Sequence, residues 1–537
     1  MLNLTLGLTE PEDVLRQRAA TVTGVAPERL RGLRIARKSV DARRRGPERN
    51  LRFIVHADVI LDADHKGATF RRAVKSGRII EAPPAEGFLV EGARASAHGL
   101  RCVVVGAGPA GLYAALVLAS NGADVSLIDR GADLSNRGTD LVRFHRSRSP
   151  DPESNLLFGE GGAGTYSDGK LYTRVDDPLE IACLEQLVAC GAKPDILYDS
   201  RAHIGTDRLH QILPVLRGKM ESLGVRFHWR TRMDGLRTDP GPPARVSAVR
   251  TSAGELPCDA LFVAPGHSAR DTIVALHRDG VAVEAKPFQL GVRIEHPQEL
   301  IDRGRYGSGP EAELLGPAYY NLICKANRGA PAAHSFCMCP GGKIVASVNV
   351  PGLLCTNGMS NSMHSSPWAN AAIVTTFGPE EFGAGPFDGV EFQQTLERRF
   401  FEAGGGDYTA PAQQADDFLA GRETRVPRRS SLVFGTCPGR IDRLLPERAR
   451  SAIAAALRKF DRQIPGFAGP AGLLVGLESR SSGPVRLPRD RESLLARGFS
   501  NLYPIGEGAG YAGGIMSAAI DGARAAKRHL ERQDMSA

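Results

Sequence analysis

A short apolar run that breaks into three glycines at fixed spacing constrains this chain more than any other feature. Cys102–Val105 is uniformly apolar and leads into Gly106-Ala-Gly108-Pro109-Ala110-Gly111, after which Leu112–Ser120 carries no charge. The first glycine permits a tight turn, the second lets backbone approach a diphosphate, and the third lets helix and strand pack closely. Free N–H groups and the dipole at the helix start favour negative charge there. A second strand, Asp124–Ile128, ends in Asp129, eighteen positions beyond Gly111. The fingerprint places at that point an acid that accepts hydrogen bonds from a ribose. Together these features predict a Rossmann-type βαβ unit that opens at Arg101 and binds a dinucleotide. A purely structural glycine turn is the weaker alternative.

Two later segments favour FAD over a freely dissociating nicotinamide. Residues 260–266 form an apolar run ending in Ala264-Pro-Gly266, which lets the chain pass tightly beside a bound dinucleotide. Residues 501–507 read as a strand ending in Gly506-Glu507, followed by GAGYAGGI and a helix-like stretch. The order resembles flavoproteins of the glutathione-reductase type. That resemblance implies that the acid, Glu507 here where those proteins usually carry Asp, hydrogen-bonds the ribityl chain. It also implies that the helix opening near Gly514 and Ile515 points its N-terminus at the flavin N1–C2=O edge. Segment 158–171, with five glycines, is expected to lie against the pyrophosphate or the isoalloxazine ring, a surface loop being the alternative. Asp168 and Lys170 would contact flavin polar edges. The expected cofactor contacts are therefore Gly106, Gly108, Pro109, Ala110, Gly111, Asp129, Arg130, Gly162, Lys170, Ala264, Gly266, Gly506, Glu507, Gly514 and Ile515.

The length, 537 residues, suits two or three domains of roughly 100–200 residues each. The texture predicts an α/β architecture: a small α+β domain over 1–98, the first part of an FAD domain over 99–285, a mostly antiparallel β-rich substrate domain inserted over 286–470, and the rest of the FAD domain over 471–537. Leu51, Phe53, Val55, Ala57 and Val59 alternate as a half-buried strand, and Glu10–Ala20 reads as helix. The stretch 82–97 reads as a linker. In the β-rich part Pro340-Gly341-Gly342 predicts a hairpin turn, and residues 385–470 read as helical or loop-rich. The uncharged run 102–123 meets the count for a membrane helix, but the glycine fingerprint explains it better. No signal peptide is read at the N-terminus, and the expected location is the cytoplasm. The net charge is +8, densest over residues 29–52 with Arg43-Arg44-Arg45; a solvated basic face is the simpler reading, and an RNA or carrier partner the other.

Longer motifs carry a closer resemblance. FGEGGAGTYSDGKLYTR (158–174), APGHSARDT (264–272), KPFQLGVRIEHP (286–297), SFCMCPGGKIVAS (335–347), NGMS (357–360), GEGAGYAGGIMSAAIDG (506–522) and KSVDARRR (38–45) resemble the bacterial and plastid family of FAD-dependent dehydrogenases, over nearly the whole chain. The resemblance implies an FAD Rossmann domain interrupted by a β-rich substrate domain, behind an N-terminal module. ESRSSGPVR (478–486) and NSMHSSPWAN (361–370) depart from the family's usual reading, which points to a specialised substrate if they line the pocket.

Candidates for chemistry are His334, His364, His267, Cys337, Glu478, Arg480 and Tyr511; of these His334, Cys337, Arg480 and Tyr511 are taken as the catalytic set. Arg480 would bind a substrate carboxylate bidentately, with a structural ion pair as the equal alternative. Cys337-Met-Cys339 places two thiols on one face of a strand, as a redox pair or as packed thiols. His203 is read as ordering a loop and Trp229 as core or adenine-side packing. No metal site is expected, because the cysteines lack CxxC pairing. The expected activity is hydride transfer between a small organic substrate and FAD, with NAD(P)H as a transient electron donor in view. Flavin monooxygenation and a non-catalytic flavin-binding protein with a basic partner-binding module are the alternatives. Neither a membrane nor nucleic acid is called for as a partner.

Overall fold

The computed structural model describes the chain except residues 1–2, 44–50, 62–66, 83–85, 94–96, 174, 328 and 535–537. Arg44, Arg45 and parts of the expected 82–97 linker lie outside the described residues.

The predicted βαβ unit sits in the middle of a five-stranded parallel sheet, ordered Leu502–Pro504, Ala260–Val263, Arg101–Val105, Asp124–Ile128, Arg226–His228. Its strands are apolar on both faces because helices cover both. Helix Pro109–Ser120 is buried along nearly its whole length, as an all-apolar helix must be. Helix Ile515–Asp534 packs against it so closely that a Cβ on Gly522 would lie 2.0 Å from the Ala110 carbonyl oxygen. The chain thus returns 400 residues later to complete the first domain. A three-stranded antiparallel meander, Met233–Asp239, Arg245–Thr251 and Gly254–Pro257, adds to this domain. Among the described residues no helix is long and apolar enough to cross a membrane; the uncharged run 102–123 is strand, turn and helix of the nucleotide fold.

The second sheet has seven strands, ordered Ile323–Cys324, Ala333–Cys339, Trp368–Phe377, Phe288–Pro297, Leu473–Glu478, Ala410–Gln414, Thr436–Pro438. It is antiparallel except for its last pair. Helix Glu447–Gln463 covers it, burying Ala449, Ala452, Ile453, Ala456, Leu457 and Phe460 at helical spacing. Three expectations are corrected here. Leu473–Glu478 pairs with Phe288–Pro297 and Ala410–Gln414, so it belongs to this sheet rather than to the FAD side of a boundary at 470/471. Ala410–Gln414 is an interior strand within a stretch expected to be helix or loop, because its buried positions 410–413 pack between two neighbouring strands. Pro340–Gly342 does not close a hairpin: Ala333–Cys339 pairs with Trp368–Phe377, and Lys343–Ala346 pairs with Thr356–Met359 in a separate two-stranded sheet. Gly341 (φ +50°) permits this change of direction, since a Cβ there would lie 1.9 Å from the His364 carbonyl oxygen.

The N-terminal module is a three-stranded antiparallel sheet, Leu4–Gly7, Arg52–Ile60 and Gly32–Asp41, with helices Val14–Thr23 and Ala68–Lys75. Its strand Gly32–Asp41 docks on the first domain: Lys38 N–H donates to the Tyr198 carbonyl at 2.7 Å, and Ser200 N–H donates to the Lys38 carbonyl at 2.9 Å.

Candidate functional site

A cavity of about 1380 Å³ opens where the three parts meet, larger than a typical small-ligand pocket of about 300–1,000 Å³. One end is lined by Gly106, Gly108, Pro109, Ala110, Asp129, Gly162, Ala264, Gly266, Gly506, Glu507, Gly514 and Ile515, the other by Lys170, His334, Cys337, His364 and Glu478. Arg37, Lys38 and Phe53 of the N-terminal module form part of the wall.

The three fingerprint glycines differ in what a side chain would meet. At Gly106 (φ +99°) a Cβ would lie 2.2 Å from the Ala264 carbonyl oxygen, and at Gly111 1.8 Å from the Gly106 carbonyl oxygen. Both are required by packing. At Gly108 the nearest atom to a Cβ is the Gly162 Cα, 3.9 Å away, so this glycine leaves open space in front of the helix. Helix Pro109–Ser120 begins there with Gly108 as its cap, and first-turn N–H groups have no intrahelical partner. Gly514 and Ile515 bring a second helix start to the same cavity. A side-chain-free cradle between two helix ends fits a dinucleotide diphosphate. Gly162 faces the cradle from the opposite side, where a Cβ would lie 2.9 Å from the Gly108 Cα.

The buried Arg137 holds the 158–164 loop, donating to the carbonyls of Asn155, Glu160 and Gly162 at 2.7, 2.7 and 2.9 Å. Sequence reasoning missed Arg137, because it lies in a helix, Leu134–Ser147, with no local sign of its distant partners.

Asp129 and Arg130 both have partners within the chain. The Asp129 carboxylate accepts the N–H groups of Ala107 at 2.7 Å, Gly131 at 2.8 Å and Gly159 at 2.9 Å. A carboxylate has about four acceptor positions, so Asp129 chiefly ties the glycine turn to the 158–164 loop. Arg130 is absent from the cavity lining: its guanidinium stands 4.6 Å over the Phe158 ring and bridges Glu153 and Asp271, each at 2.7 Å.

Arg480 is corrected as well. It meets Glu397 through both carboxylate oxygens, at 2.9 and 2.8 Å, and donates to Asn349 Oδ1 at 2.5 Å. Arg270 shares the same carboxylate, and the two guanidinium groups hold Glu397 far below the usual carboxylate range despite its burial. No fork remains for a substrate carboxylate. Tyr511 does not line the cavity: its hydroxyl donates to the Leu487 carbonyl and accepts from Arg489 N–H, with Arg489 stacked 3.9 Å over its ring.

Glu507 does line the cavity. Burial pushes its carboxyl up to about 7, against the opposing pull of Lys286 and of a hydrogen bond from Gly483 N–H. His267 Nδ1 stands 3.8 Å from Glu507 Oε2, and burial, followed by Arg480 and Arg270, pushes that imidazole down to about 3.

At the far end Lys170 pairs with Asp168 at 2.6 Å, and Ser360 donates to Asp168. The Lys170 ammonium also stands 3.9 Å from Cys337 Sγ and 3.8 Å from Cys339 Sγ. Cys337 is held well below the ordinary thiol range, first by a hydrogen bond from Cys339, then by Lys170 and Arg293 against the cost of burial. Arg293, unrecognised from sequence, donates to Glu478 Oε2 at 3.0 Å, to the Cys337 carbonyl at 2.8 Å and to Asn357 Oδ1 at 2.8 Å. A charge inside the apolar strand Phe288–Pro297 was its available signal, since a buried guanidinium demands partners. Burial raises the Glu478 carboxyl above its usual range, opposed by Arg293. His364 Nδ1 lies 2.9 Å from the Pro340 carbonyl oxygen and its ring stacks on His203 at 4.0 Å; burial pushes His203 down to about 4. His334 lines the cavity from strand Ala333–Cys339. Trp229 stacks on Phe227 at 5.4 Å.

Comparison with known proteins matches residues 287–481 to the model of "FAD-dependent protein, C-terminal domain-like", residues 104–148 to "NAD(P)-binding Rossmann-like domain" and residues 1–59 to a domain of unknown function. A Clostridium beijerinckii protein described as uncharacterized is 36% identical over 551 residues, covering 99% of this chain and 98% of its own. Among solved structures, L-proline dehydrogenase from P. horikoshii aligns at 12% identity over 80% of this chain and 93% of that one, with a TM-score of 0.32. Glycine oxidase from Geobacillus kaustophilus aligns at 12% over 81% and 95%, also with a TM-score of 0.32. The chain belongs to one family with the Clostridium beijerinckii protein, and it carries a Rossmann-like nucleotide-binding domain together with an FAD-dependent protein C-terminal domain-like region.

Proposed function

We propose that this protein is a dehydrogenase or oxidase that moves hydride between a small organic substrate and FAD. One observation carries the reading: a single cavity joins the dinucleotide cradle of the first domain to a cluster of titratable side chains on the second. Bound FAD supplies a two-electron acceptor or donor.

The protein's own residues do the rest. Gly106, Gly108 and Gly111 with the helix start at Pro109 would hold the diphosphate, with Gly162 facing them across the cradle. Gly506, Glu507, Gly514 and Ile515 sit beside the remaining cofactor length, with Glu507 a hydrogen-bonding partner whose proton is exchangeable near neutrality. Lys170, His334, His364 and Glu478 face the substrate end. Of these Glu478 suits proton removal from a substrate heteroatom, since a carboxyl raised above its usual range is a base closer to operating pH. Lys170 orients a polar substrate group by its charge. Burial and the N-terminal wall exclude water around the reacting carbon.

The test is anaerobic mixing of the purified yellow protein with NADH, NADPH and a panel of amines, alcohols and enones. Bleaching of the flavin band identifies the donor, and the rate of recolouring in air separates oxidase from dehydrogenase. A protein that carries FAD yet bleaches with no donor, and is not recoloured by any acceptor after dithionite, overturns the proposal.

A further inference from the structure

Strand Ala333–Cys339 is not regular where its cysteines lie. Its register against Trp368–Phe377 slips between Phe336 and Cys339, and Cys337 takes φ +45°, a left-handed conformation unusual for a residue with a side chain. In a regular strand, side chains two positions apart are separated by about 6.6–6.8 Å along the chain. Here both sulfurs come to one ammonium, Lys170 Nζ standing 3.9 Å from Cys337 Sγ and 3.8 Å from Cys339 Sγ, while the Cys339 thiol donates to the Cys337 carbonyl at 3.4 Å. Strained backbone of this kind persists where the surrounding structure enforces it, and it clusters at functional sites. Arg293 enforces it by gripping the Cys337 carbonyl, itself locked by Glu478.

The two sulfurs have different access. Cys337 is half-buried and lines the cavity, whereas Cys339 is buried behind it. An accessible thiol beside a cation, backed by a buried thiol beside the same cation, is the arrangement of an attacking and a resolving cysteine. The other charged or titratable groups around the pair are Asp168, bound to Lys170, Glu478, bound to Arg293, and the phenols of Tyr172 and Tyr320.

We propose that Cys337 and Cys339 form a reversible dithiol–disulfide couple in the cavity wall, which exchanges with low-molecular-weight disulfides. The Cys337 thiolate attacks one sulfur of the disulfide RSSR; the S–S bond breaks, and the leaving RS⁻ takes up a proton. Cys339 then loses its proton and attacks Cys337 Sγ, expelling the second RS⁻, which is protonated in turn. Two thiols are oxidised to one intramolecular disulfide, and one RSSR is reduced to two RSH. This couple does not depend on the substrate assigned above.

The test uses the full-length protein with its cofactor, equilibrated in buffers of varied reduced-to-oxidised glutathione ratio, acid-quenched, alkylated with N-ethylmaleimide and digested. The expected result is that the peptide holding both cysteines passes reversibly from two maleimide adducts to none, with its mass lower by two hydrogens. Cys339→Ser is expected to trap one glutathione on Cys337. In Lys170→Met, but not Lys170→Arg, the pH midpoint of Cys337 alkylation is expected to rise by about one unit or more, a tenfold loss of thiolate at a pH below both midpoints. Two maleimides at every ratio in folded protein would overturn the proposal, as would a glutathione adduct that persists on Cys337 in the wild type as it does in Cys339→Ser. Equal midpoints in Lys170→Met and wild type would remove Lys170 from it.

Discussion

Arg293 and Glu478 meet at 3.0 Å, Nε to Oε2, with both side chains wholly out of solvent. The pair joins two adjacent strands of the seven-stranded sheet and fixes the carbonyl of Cys337. Removing one partner strands a buried charge, which costs about 3–5 kcal/mol. Arg293→Met is therefore expected to lower the unfolding free energy by that amount, read as a lower urea midpoint at an unchanged slope. The double variant Arg293→Met/Glu478→Leu, which removes both charges, should lose less than the single one.

The glycine cradle predicts a split between folding and cofactor retention. At Gly108 a side chain has room until FAD arrives, so Gly108→Val should fold normally by circular dichroism. Its flavin-to-protein absorbance ratio should show FAD affinity reduced by about tenfold or more, that is at least 1.4 kcal/mol. Gly106→Ala should instead cost stability, since its Cβ would strike the Ala264 carbonyl.

Glu507 gives stability a pH dependence of known sign. Its carboxyl titrates near 7 in the folded protein and near 4.5 when unconstrained. Folded protein thus holds a proton that the unfolded chain releases, and stability is lost as pH rises from about 4.5 to about 7. At 1.36 kcal/mol per unit the loss is about 3 kcal/mol at most. Glu507→Gln is expected to flatten this window, measured by urea unfolding of cofactor-free protein at several pH values.

Arg480→Lys keeps the charge but loses the two-point contact with Glu397. The expectation is a loss of about 2 kcal/mol in unfolding free energy. Once a substrate is identified, its KM should change less than twofold. A large KM effect with unchanged stability would restore the substrate-binding role.

Lys38→Pro removes the N–H that ties the N-terminal sheet to Tyr198. The flavin should remain bound, while iodide quenching of its fluorescence increases because the cavity wall loosens.

Much of the nucleotide fold was legible because its signals are local. Three glycines, an apolar helix and Asp129 at the end of a strand occupy one continuous stretch, and each has a single conformational meaning. What escaped was decided by distant partners. Arg480 and Glu478 stand two positions apart, yet one meets Glu397 and the other Arg293, from elements far away in sequence. Tyr511 looked poised beside the flavin segment, but Arg489 and Leu487 hold its hydroxyl elsewhere. Alternation placed Cys337 and Cys339 on one face correctly in kind, yet no pattern of residues foretells a register slip that depends on the neighbouring strand. Ala410–Gln414 was missed for a related reason: APAQQ carries little strand preference and is held by its neighbours.

The docking of strand Gly32–Asp41 onto Tyr198 and Ser200 divides the labour of the cavity between two stretches of chain. Arg37, Lys38 and Phe53 furnish part of the enclosure while the diphosphate cradle lies more than fifty residues further on. A substitution on that strand can therefore reshape the wall and leave the cradle as it is.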